Sequence, residues 1–133
     1  MTTHTTPHRT HQFDAALALA LAAAVTGARA EIVDIRWDTS GRFERSLGVV
    51  PGKFAEVCGK LPAGINVAWS FEASAPLDFN LHYHVGKDVV YPAKLGAVAI
   101  AKDTLATKID QDYCWMWSNK STTPATLQLR LQR

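Results

Sequence analysis

The sequence predicts an all-β fold, an antiparallel β-sandwich of about seven to eight short strands. Two observations indicate this class. Apolar and polar residues alternate in several separate segments, which is the pattern of strands with one buried face. Turn-forming residues, mainly glycine and proline, recur roughly every eight to twelve positions between these segments. No internal repeat, coiled coil or glycine-rich phosphate loop accompanies them, so a single sandwich accounts for the chain.

The composition is that of one folded domain. The chain has 133 residues, of which 47% are hydrophobic and 20% are charged. These values exclude a disordered chain, and the length suits one domain rather than two. The formal net charge is +2, with no run of like charges and no basic patch interleaved with aromatic residues. The sequence therefore predicts no nucleic-acid partner.

The N-terminal segment, 1–30, is predicted to be a secretory signal. Arg9 supplies a positive start, 15–25 is an apolar core, and 28–30 (Ala-Arg-Ala) fits a cleavage site. The mature domain is then 31–133, in the periplasm or secreted. The apolar run is short for a membrane span, so no stable span is expected after cleavage. An uncleaved N-terminal anchor helix is the alternative.

The first part of the domain contains three predicted strands. The segment 32–37 alternates between an apolar and a mixed face, and the turn signal Asp-Thr-Ser-Gly at 38–41 ends it. The segment 42–50 is ambiguous and is read as a second strand. After Pro-Gly at 51–52, the segment 53–60 is expected to carry the first cysteine to its partner.

The middle of the domain contains the two clearest strand patterns. In 65–73 and again in 77–85, large apolar residues occupy every second position. Pro76 is expected to separate these two strands. A glycine turn then predicts a hairpin, whose second strand starts at 88–91 and is limited by Pro92.

The last part contains the strand around which the domain is organised. The segment 112–119 (DYCWMWSN) alternates and has no purely polar face, so it is predicted to be a central strand covered on both sides. The segment 126–131 closes the domain. Between the hairpin and the central strand, 97–108 is compatible with a short helix or with strands around a turn.

Two cysteines in an exported chain predict one disulfide, Cys58 to Cys114. No C-x-x-C motif is present that would favour a reactive thiol pair. A bridge of this span closes a loop of roughly 55 residues and stabilises the fold by about 4 kcal/mol in the chain-entropy description.

The order of these features resembles a GOLD (Golgi dynamics) domain. Such domains pair an early cysteine with one in a late strand. Between the two cysteines, INVAWSF and LDFNLHY match an apolar strand and a strand with a polar face, and WMWSN and ATLQLRL match the late and closing strands. The resemblance covers about 54–131 and implies a GOLD-like or immunoglobulin-like sandwich with a non-catalytic binding role.

Two departures from that family pattern matter. Met116 stands where the family has its late cysteine, and Cys114 lies two positions earlier on the same face. The chain also ends without the coiled coil, membrane helix and sorting tail of GOLD cargo receptors, so a cargo-receptor role does not carry over. A signal segment without an anchor is typical of a bacterial periplasmic or secreted protein.

The sharpest chemical feature is the His-x-His pair. His82 and His84 project from one face of a predicted strand, about 7 Å apart. Imidazole nitrogens bind copper or zinc, and a closed site needs a third and fourth ligand. Further candidate ligands are Asp78, Asp112 and Met116. The alternative is an ordinary solvent-facing polar row, with a histidine pH switch as a third possibility.

The aromatic residues of the central strand allow two interpretations. Tyr113, Trp115 and Trp117 share one face, which is either part of the core or an exposed platform for a sugar ring or apolar ligand. A hydrolytic site is not indicated, since neither a nucleophile beside a histidine nor a spaced carboxylate pair is specified. Asn119-Lys120-Ser121 forms a glycosylation sequon.

These features predict an exported, non-enzymatic binding or interaction module with one structural disulfide and an unidentified protein or cell-envelope partner. The alternative is a periplasmic copper- or zinc-binding protein that uses the His-x-His strand. A metal site requires a third ligand close to both histidines. An interaction module requires an exposed apolar patch or an unpaired sheet edge.

Overall fold

A computed structural model describes residues 29–133, which form an all-β fold. The predicted signal peptide, except its last two residues, 29–30, lies outside the described residues. Within 29–133, no helix is long and apolar enough to cross a membrane. The seven strands are β1 (Glu31–Asp34), β2 (Arg42–Val49), β3 (Phe54–Leu61), β4 (Asn66–Val85), β5 (Asp88–Ala106), β6 (Gln111–Ser118) and β7 (Ala125–Gln132).

The strands form one strongly bent sheet in the order β1-β3-β6-β4-β7-β2, and β5 pairs with β4. The long strand β4 joins the two layers, because β7 pairs with its first half, 68–73, and β6 with its second half, 78–82. Glu31 bridges the far edges, contacting Arg45 and the amide of Gly48. The result is a nearly closed sandwich with its core between the layers.

The sheet is mixed rather than purely antiparallel, which corrects the sequence prediction in this detail. β1 and β3 pair in parallel, with Glu31 opposite Ala55 and Asp34 opposite Cys58. All other pairs are antiparallel. Because β2 intervenes in the chain and pairs with β7 in the other layer, β3 returns to β1 through a crossover and not a hairpin.

Pro76 does not separate two strands, contrary to the sequence prediction. β4 continues through it as a single 20-residue strand. The ladder to β7 ends at Ala73 and the ladder to β6 starts at Asp78, while the ladder to β5 is interrupted between Glu72 and Leu77. A proline fits here because no ladder bond requires its missing amide hydrogen.

The uncertain segment 97–108 lies mostly in one continuous strand, so the short helix and the turn within the segment are both wrong. β5 runs for 19 residues, past Pro92, which lies where the pairing register with β4 shifts. Ala97 has φ 50°, and its amide donates to Oδ1 of Asp78 at 2.9 Å. This irregular residue lets the alanine-rich strand follow the bend of β4.

The core is filled by residues at alternate positions of both layers. Trp115 and Trp117 are 0% exposed and Tyr113 is 1% exposed. This face of β6 is therefore part of the core, and the alternative of an exposed ligand platform is wrong. Trp117 packs edge-on against Phe71 and tilted against Phe79, at centroid distances of 5.4 and 5.5 Å. These contacts connect the two layers at the bend of β4.

Candidate functional site

The polar residues that could bind a ligand or a metal ion lie together on the outer face of the layer that contains β3, β6 and β4. In one row across these strands, Cys58 lies opposite Cys114, and Cys114 lies opposite His82. In the next row, Met116 lies between Glu56 and Asn80. His84 and Tyr91 lie beside these rows. We call the whole surface the cystine face, and it comprises Glu56, Cys58, Asn80, His82, His84, Tyr91, Cys114 and Met116.

The predicted disulfide between Cys58 and Cys114 is present. It joins two directly opposed residues of β3 and β6, with their Cα atoms 4.1 Å apart. Cys114 is buried and Cys58 is half-buried. Oε1 or Oε2 of Glu56 lies within 4.8 Å of both sulfur atoms, but the sulfurs are bonded to each other. They are therefore not free to act as thiolate ligands.

His82 is almost completely buried although it points away from the core. Only 7% of the residue is exposed. Its Nδ1 lies 2.8 Å from Oδ1 of Asn80, and its Nε2 lies 3.3 Å from Oε1 of Glu56. Both ring nitrogens therefore face oxygen atoms, so the ring has a fixed orientation with its Nε2 directed across β6 towards β3.

Two further rings enclose His82. His84 packs edge-on against it with centroids 5.2 Å apart, and Tyr91 from β5 lies at 6.0 Å. Tyr91 reaches this face because the register of β5 shifts opposite 81–83. The ammonium group of Lys94 stacks over the Tyr91 ring at 4.9 Å. His84 and Tyr91 are themselves exposed, so both rings can adjust to a ligand.

The environment changes the protonation of the buried pair. Burial raises the pKa of Glu56, and the nearby charge of His84 opposes that rise. Burial lowers the pKa of His82, and His84 lowers it further. Both effects favour uncharged side chains, because a charge away from water is costly. At neutral pH, His82 is therefore a neutral imidazole with one nitrogen lone pair available.

The structure does not bring Asp78 to the histidines. Asp78 lies opposite Ser118, two rows from the row of His82. Its carboxylate pairs with Lys120 and accepts the amide hydrogen of Ala97. These partners lower the pKa of Asp78, with the Lys120 hydrogen bond as the largest cause. Met116, by contrast, lies in the row next to His82.

Sequence reasoning missed Glu56 and Tyr91. The alternation of residues in the sequence does not show which way Tyr91 faces, because its orientation depends on a shift in the pairing register of β4 and β5. Glu56 could have been found, since it lies two residues before Cys58 in the same strand and therefore on the same face. Placing the disulfide between neighbouring strands would have located this carboxylate next to the strand of Cys114, while the position of the His-x-His strand on the other side of that strand is known only from the structure.

Exposed apolar residues concentrate on the ribbon formed by β4 and β5. Of the eight large hydrophobic residues exposed in the described chain, six lie there. Most surround the turn at Gly86, which we call the ribbon tip and define as 83–91. The exposed residues of the ribbon are Val85, Val89, Val90, Tyr91, Leu95 and Ile100.

The other layer carries a shallow depression of about 760 Å³ on its outer face. Its lining includes Arg42, Lys102 and Arg130, with Glu44 close to Arg130 at 3.7 Å. No histidine or cysteine lines it. The lining supplies charged hydrogen-bonding groups, including the carboxylate of Glu44, but no imidazole or thiolate.

Several solved structures share this arrangement of strands. The periplasmic inhibitor of g-type lysozyme (PliG) from Aeromonas hydrophila aligns with a TM-score of 0.56 at 10% identity, covering 78% of this chain and 96% of that chain. PliG from Salmonella Typhimurium aligns at 0.53 and 10%, covering 77% and 96%. The pre-peptidase C-terminal domain of a Bacillus anthracis collagenase aligns at 0.53 and 12%, covering 79% and 98%.

No protein-family model matches the chain, and no curated protein matches its sequence. At identities of 10–12%, the structural likeness shows the fold alone. That fold is a small β-sandwich which other proteins use as a periplasmic inhibitor and as a domain of a collagenase. The likeness supports the sandwich expected from the GOLD resemblance, but not membership of the GOLD family.

Proposed function

We propose that this chain is an exported, non-catalytic module that binds a protein through the ribbon of β4 and β5. The observation that carries the proposal is the concentration of exposed apolar side chains on this ribbon. Scattered apolar residues are normal on a protein surface, whereas a group of them beside one turn is typical of an interaction site.

The edge of the ribbon supports the same function. Within 29–133, β5 pairs with β4 and with no other strand, so one side of this 19-residue strand offers unpaired backbone groups. A partner can add a strand to such an edge and place apolar side chains against Val89 and Tyr91. Lys94 and Lys102 lie on the same strand, and edge lysines oppose uncontrolled self-pairing.

A lysozyme of the g type is the partner class that we propose. The support is the fold shared with two PliG proteins, whose function is to inhibit that enzyme class. A sandwich that presents a projecting ribbon suits insertion into the substrate cleft of a polysaccharide hydrolase, because a narrow apolar tip fits a concave surface. This role needs no catalytic residue on the inhibitor.

The test is inhibition of a purified g-type lysozyme. The full chain, expressed with export and checked for an intact disulfide, is titrated into an assay of peptidoglycan clearing. We expect inhibition near stoichiometric concentrations in the parent. Val85→Asp and Val89→Asp place a charge on the ribbon tip and are expected to weaken inhibition by at least about tenfold, as loss of a central contact does.

Ile32→Asp is the matched control. Ile32 is 65% exposed but lies on β1, away from the ribbon, so this variant should inhibit as the parent does. Equal loss in all three variants, or no inhibition and no binding by the parent, would reject the lysozyme proposal. A stable dimer in light scattering that Val89→Asp dissociates would instead assign the ribbon to self-association.

Export and a GOLD-like sandwich are parts of the same proposal. The signal pattern at 1–30 and the disulfide support a periplasmic or secreted location. The disulfide between the adjacent strands β3 and β6, with β6 paired to the His-x-His strand, supports the GOLD-like arrangement. Fractionation of cells that express the full chain tests export: a processed form starting at Glu31 outside the cytoplasm is expected, and an unprocessed cytoplasmic form would refute it.

A further inference from the structure

We propose that the cystine face holds a divalent transition-metal ion, with Glu56 and His82 as its fixed ligands and His84 as the third. The inference does not rest on lysozyme binding: His84 belongs to the ribbon tip, but Glu56 and His82 lie outside it, so metal binding can be measured without the enzyme. It differs from the ligand set that the sequence suggests, because a carboxylate from β3 replaces Asp78.

The spacing of the first two donors fits a metal. Nε2 of His82 and Oε1 of Glu56 are 3.3 Å apart. Two ligands bound to zinc at about 2.0–2.1 Å in tetrahedral geometry lie roughly 3.4 Å from each other. The ion needs no movement of the backbone, since the strands of both donors, β3 and β4, pair with β6, and the disulfide between Cys58 and Cys114 also ties β3 to β6.

The hydrogen bond on the other ring nitrogen strengthens the inference. Nδ1 of His82 faces the amide oxygen of Asn80 at 2.8 Å, so Nδ1 carries the hydrogen and donates it. Nε2 of the neutral ring then presents a lone pair towards the Glu56 carboxylate. Two acceptors this close, with His82 only 7% exposed, require a proton or a cation between them.

An oriented histidine of this kind is characteristic of metal centres. A ligating histidine usually donates its second ring hydrogen to an oxygen, which fixes the tautomer and the direction of the lone pair. Asn80 plays that part for His82. The arrangement therefore supplies a metal ligand and the group that orients it, and both side chains lie on a single strand.

His84 completes the set by a side-chain rotation. Its ring centre is 5.2 Å from that of His82, and the residue is exposed, so it can turn towards an ion beside His82 without unpacking the core. Two imidazoles and one carboxylate are a known ligand combination for zinc, and they also suit copper(II). Met116, in the row between Glu56 and Asn80, can add a thioether to copper.

The test is calorimetric titration of the full chain with Zn(II) and Cu(II), without reductant. Reductant is excluded because freed thiolates of Cys58 and Cys114 would lie near Glu56 and bind metal themselves. We expect micromolar or tighter binding of one ion. Asn80→Ala should weaken it by about 10- to 100-fold, as loss of an orienting partner does.

Two conservative variants decide whether the ion lies between the named donors. Glu56→Gln should weaken binding by at least about tenfold, because a neutral amide is a poor replacement for a carboxylate ligand. Asp78→Asn removes a carboxylate from the same face of β4 and should leave the affinity unchanged. His4, His8 and His11 remain in every variant, so binding by the N-terminal segment cancels from the comparison.

Three results would overturn the proposal. The first is no binding by the parent, which would leave a hydrogen bond between His82 and Glu56 with the Asn80 amide turned. The second is equal affinity in the parent and in Glu56→Gln. The third is an affinity that falls in Asp78→Asn. Each of these results leaves the lysozyme assay unaffected, so the two proposals fail independently.

Discussion

Nε2 of His82 lies 3.3 Å from Oε1 of Glu56, although the two residues belong to strands that do not pair with each other. β6 runs between them, and the side chains meet above Cys114 and Met116. A half-buried acid and a buried base thus lie on the outside of the sandwich. Their burial, and not a surface charge pattern, determines how this face responds to pH.

The stability of the fold should fall as the pH is lowered from 7 to 5.5. Burial lowers the pKa of His82 below its ordinary value of 6.5. The unfolded chain therefore takes up the proton first, and stability is lost as the pH falls from 6.5 through the folded-state pKa. The slope for this group is at most about 1.4 kcal/mol per pH unit. Urea unfolding at several pH values measures it.

The opposite sign applies to Glu56. Its folded-state pKa is raised above 4.5, so its contribution is fully present below pH 4.5 and is lost as the pH rises through the folded-state pKa. The titratable groups that face His82 are Glu56, His84 and Tyr91. His82→Gln should flatten the decline between pH 7 and 5.5, whereas His84→Gln should only reduce it, because burial, the larger cause of the lowered His82 pKa, remains. An unchanged slope in His82→Gln would contradict this assignment.

Removing the disulfide should destabilise the fold by about 4 kcal/mol, from the loop that separates Cys58 and Cys114 by 56 positions. Cys58→Ser with Cys114→Ser is the variant, and urea unfolding without reductant is the measurement. Parent protein under reductant serves as a second route to the same state. A loss below about 1 kcal/mol would show that residual structure already holds the segments of β3 and β6 together in the unfolded chain.

The alternation of side chains made much of the fold predictable. In 77–85 every second residue is apolar, and the structure buries Leu77, Phe79 and Leu81 and places the histidines on the outer face, while Val85 at the strand end is exposed. The same reasoning predicts 112–119 as a central strand, and β6 does pair with both β3 and β4, but its outer face is not fully covered, since Asp112 is exposed. Strand ends are less predictable. The sequence predicts that strands end at Pro76 and Pro92, but β4 and β5 continue through these residues, which lie where the ladder between the two strands is interrupted.

The candidate site could be predicted only in part. His82 and His84 are two positions apart in one strand, so periodicity alone locates them. Glu56 comes from a strand two positions away in the sheet, and single-sequence periodicity carries no information on which strands are neighbours. The disulfide was the one long-range restraint in the sequence, and it links β3 to the strand beside the histidines.

Asn119 should be one of the polar residues whose substitution destabilises the fold most. The residue is 1% exposed, and its amide nitrogen donates to the carbonyl oxygens of Val49 and Thr123 at 2.9 and 2.8 Å. Asn119→Asp keeps the size but replaces the donor by an oxygen facing two carbonyls. We expect a loss of at least about 2 kcal/mol in urea unfolding.

Ser121→Ala is the control for that loop. It removes a hydroxyl bond to Oδ1 of Asn119 but leaves the amide donor in place, so the expected loss is about 0.5–1.5 kcal/mol. Equal losses of stability in Asn119→Asp and Ser121→Ala would contradict the conclusion that the Asn119 amide donor matters most in this loop. The burial of Asn119 also makes its nitrogen inaccessible for glycosylation in the folded protein, although the sequon is present.

Two glycines in strands should respond in opposite ways to alanine. A Cβ added to Gly59 would lie 2.9 Å from Cβ of Ile35, which is closer than packed carbons approach. Cβ of Ile35 cannot swing away, so the backbone after β1 has to move. Overpacking of this kind costs about 1–3 kcal/mol. Gly59→Ala should therefore lower the thermal and urea midpoints.

Gly48 is the matched position, because it also lies in a strand and a Cβ there would meet nothing within 4 Å. Its φ is not positive, so alanine can adopt the same backbone. Gly48→Ala should stabilise the fold by about 0.4–1 kcal/mol, since it reduces the freedom of the unfolded chain. If Gly59→Ala were equally stabilising, Ile35 would not be packed against β3 in solution. The crossover between β1 and β3 would then be looser than the parallel pairing indicates.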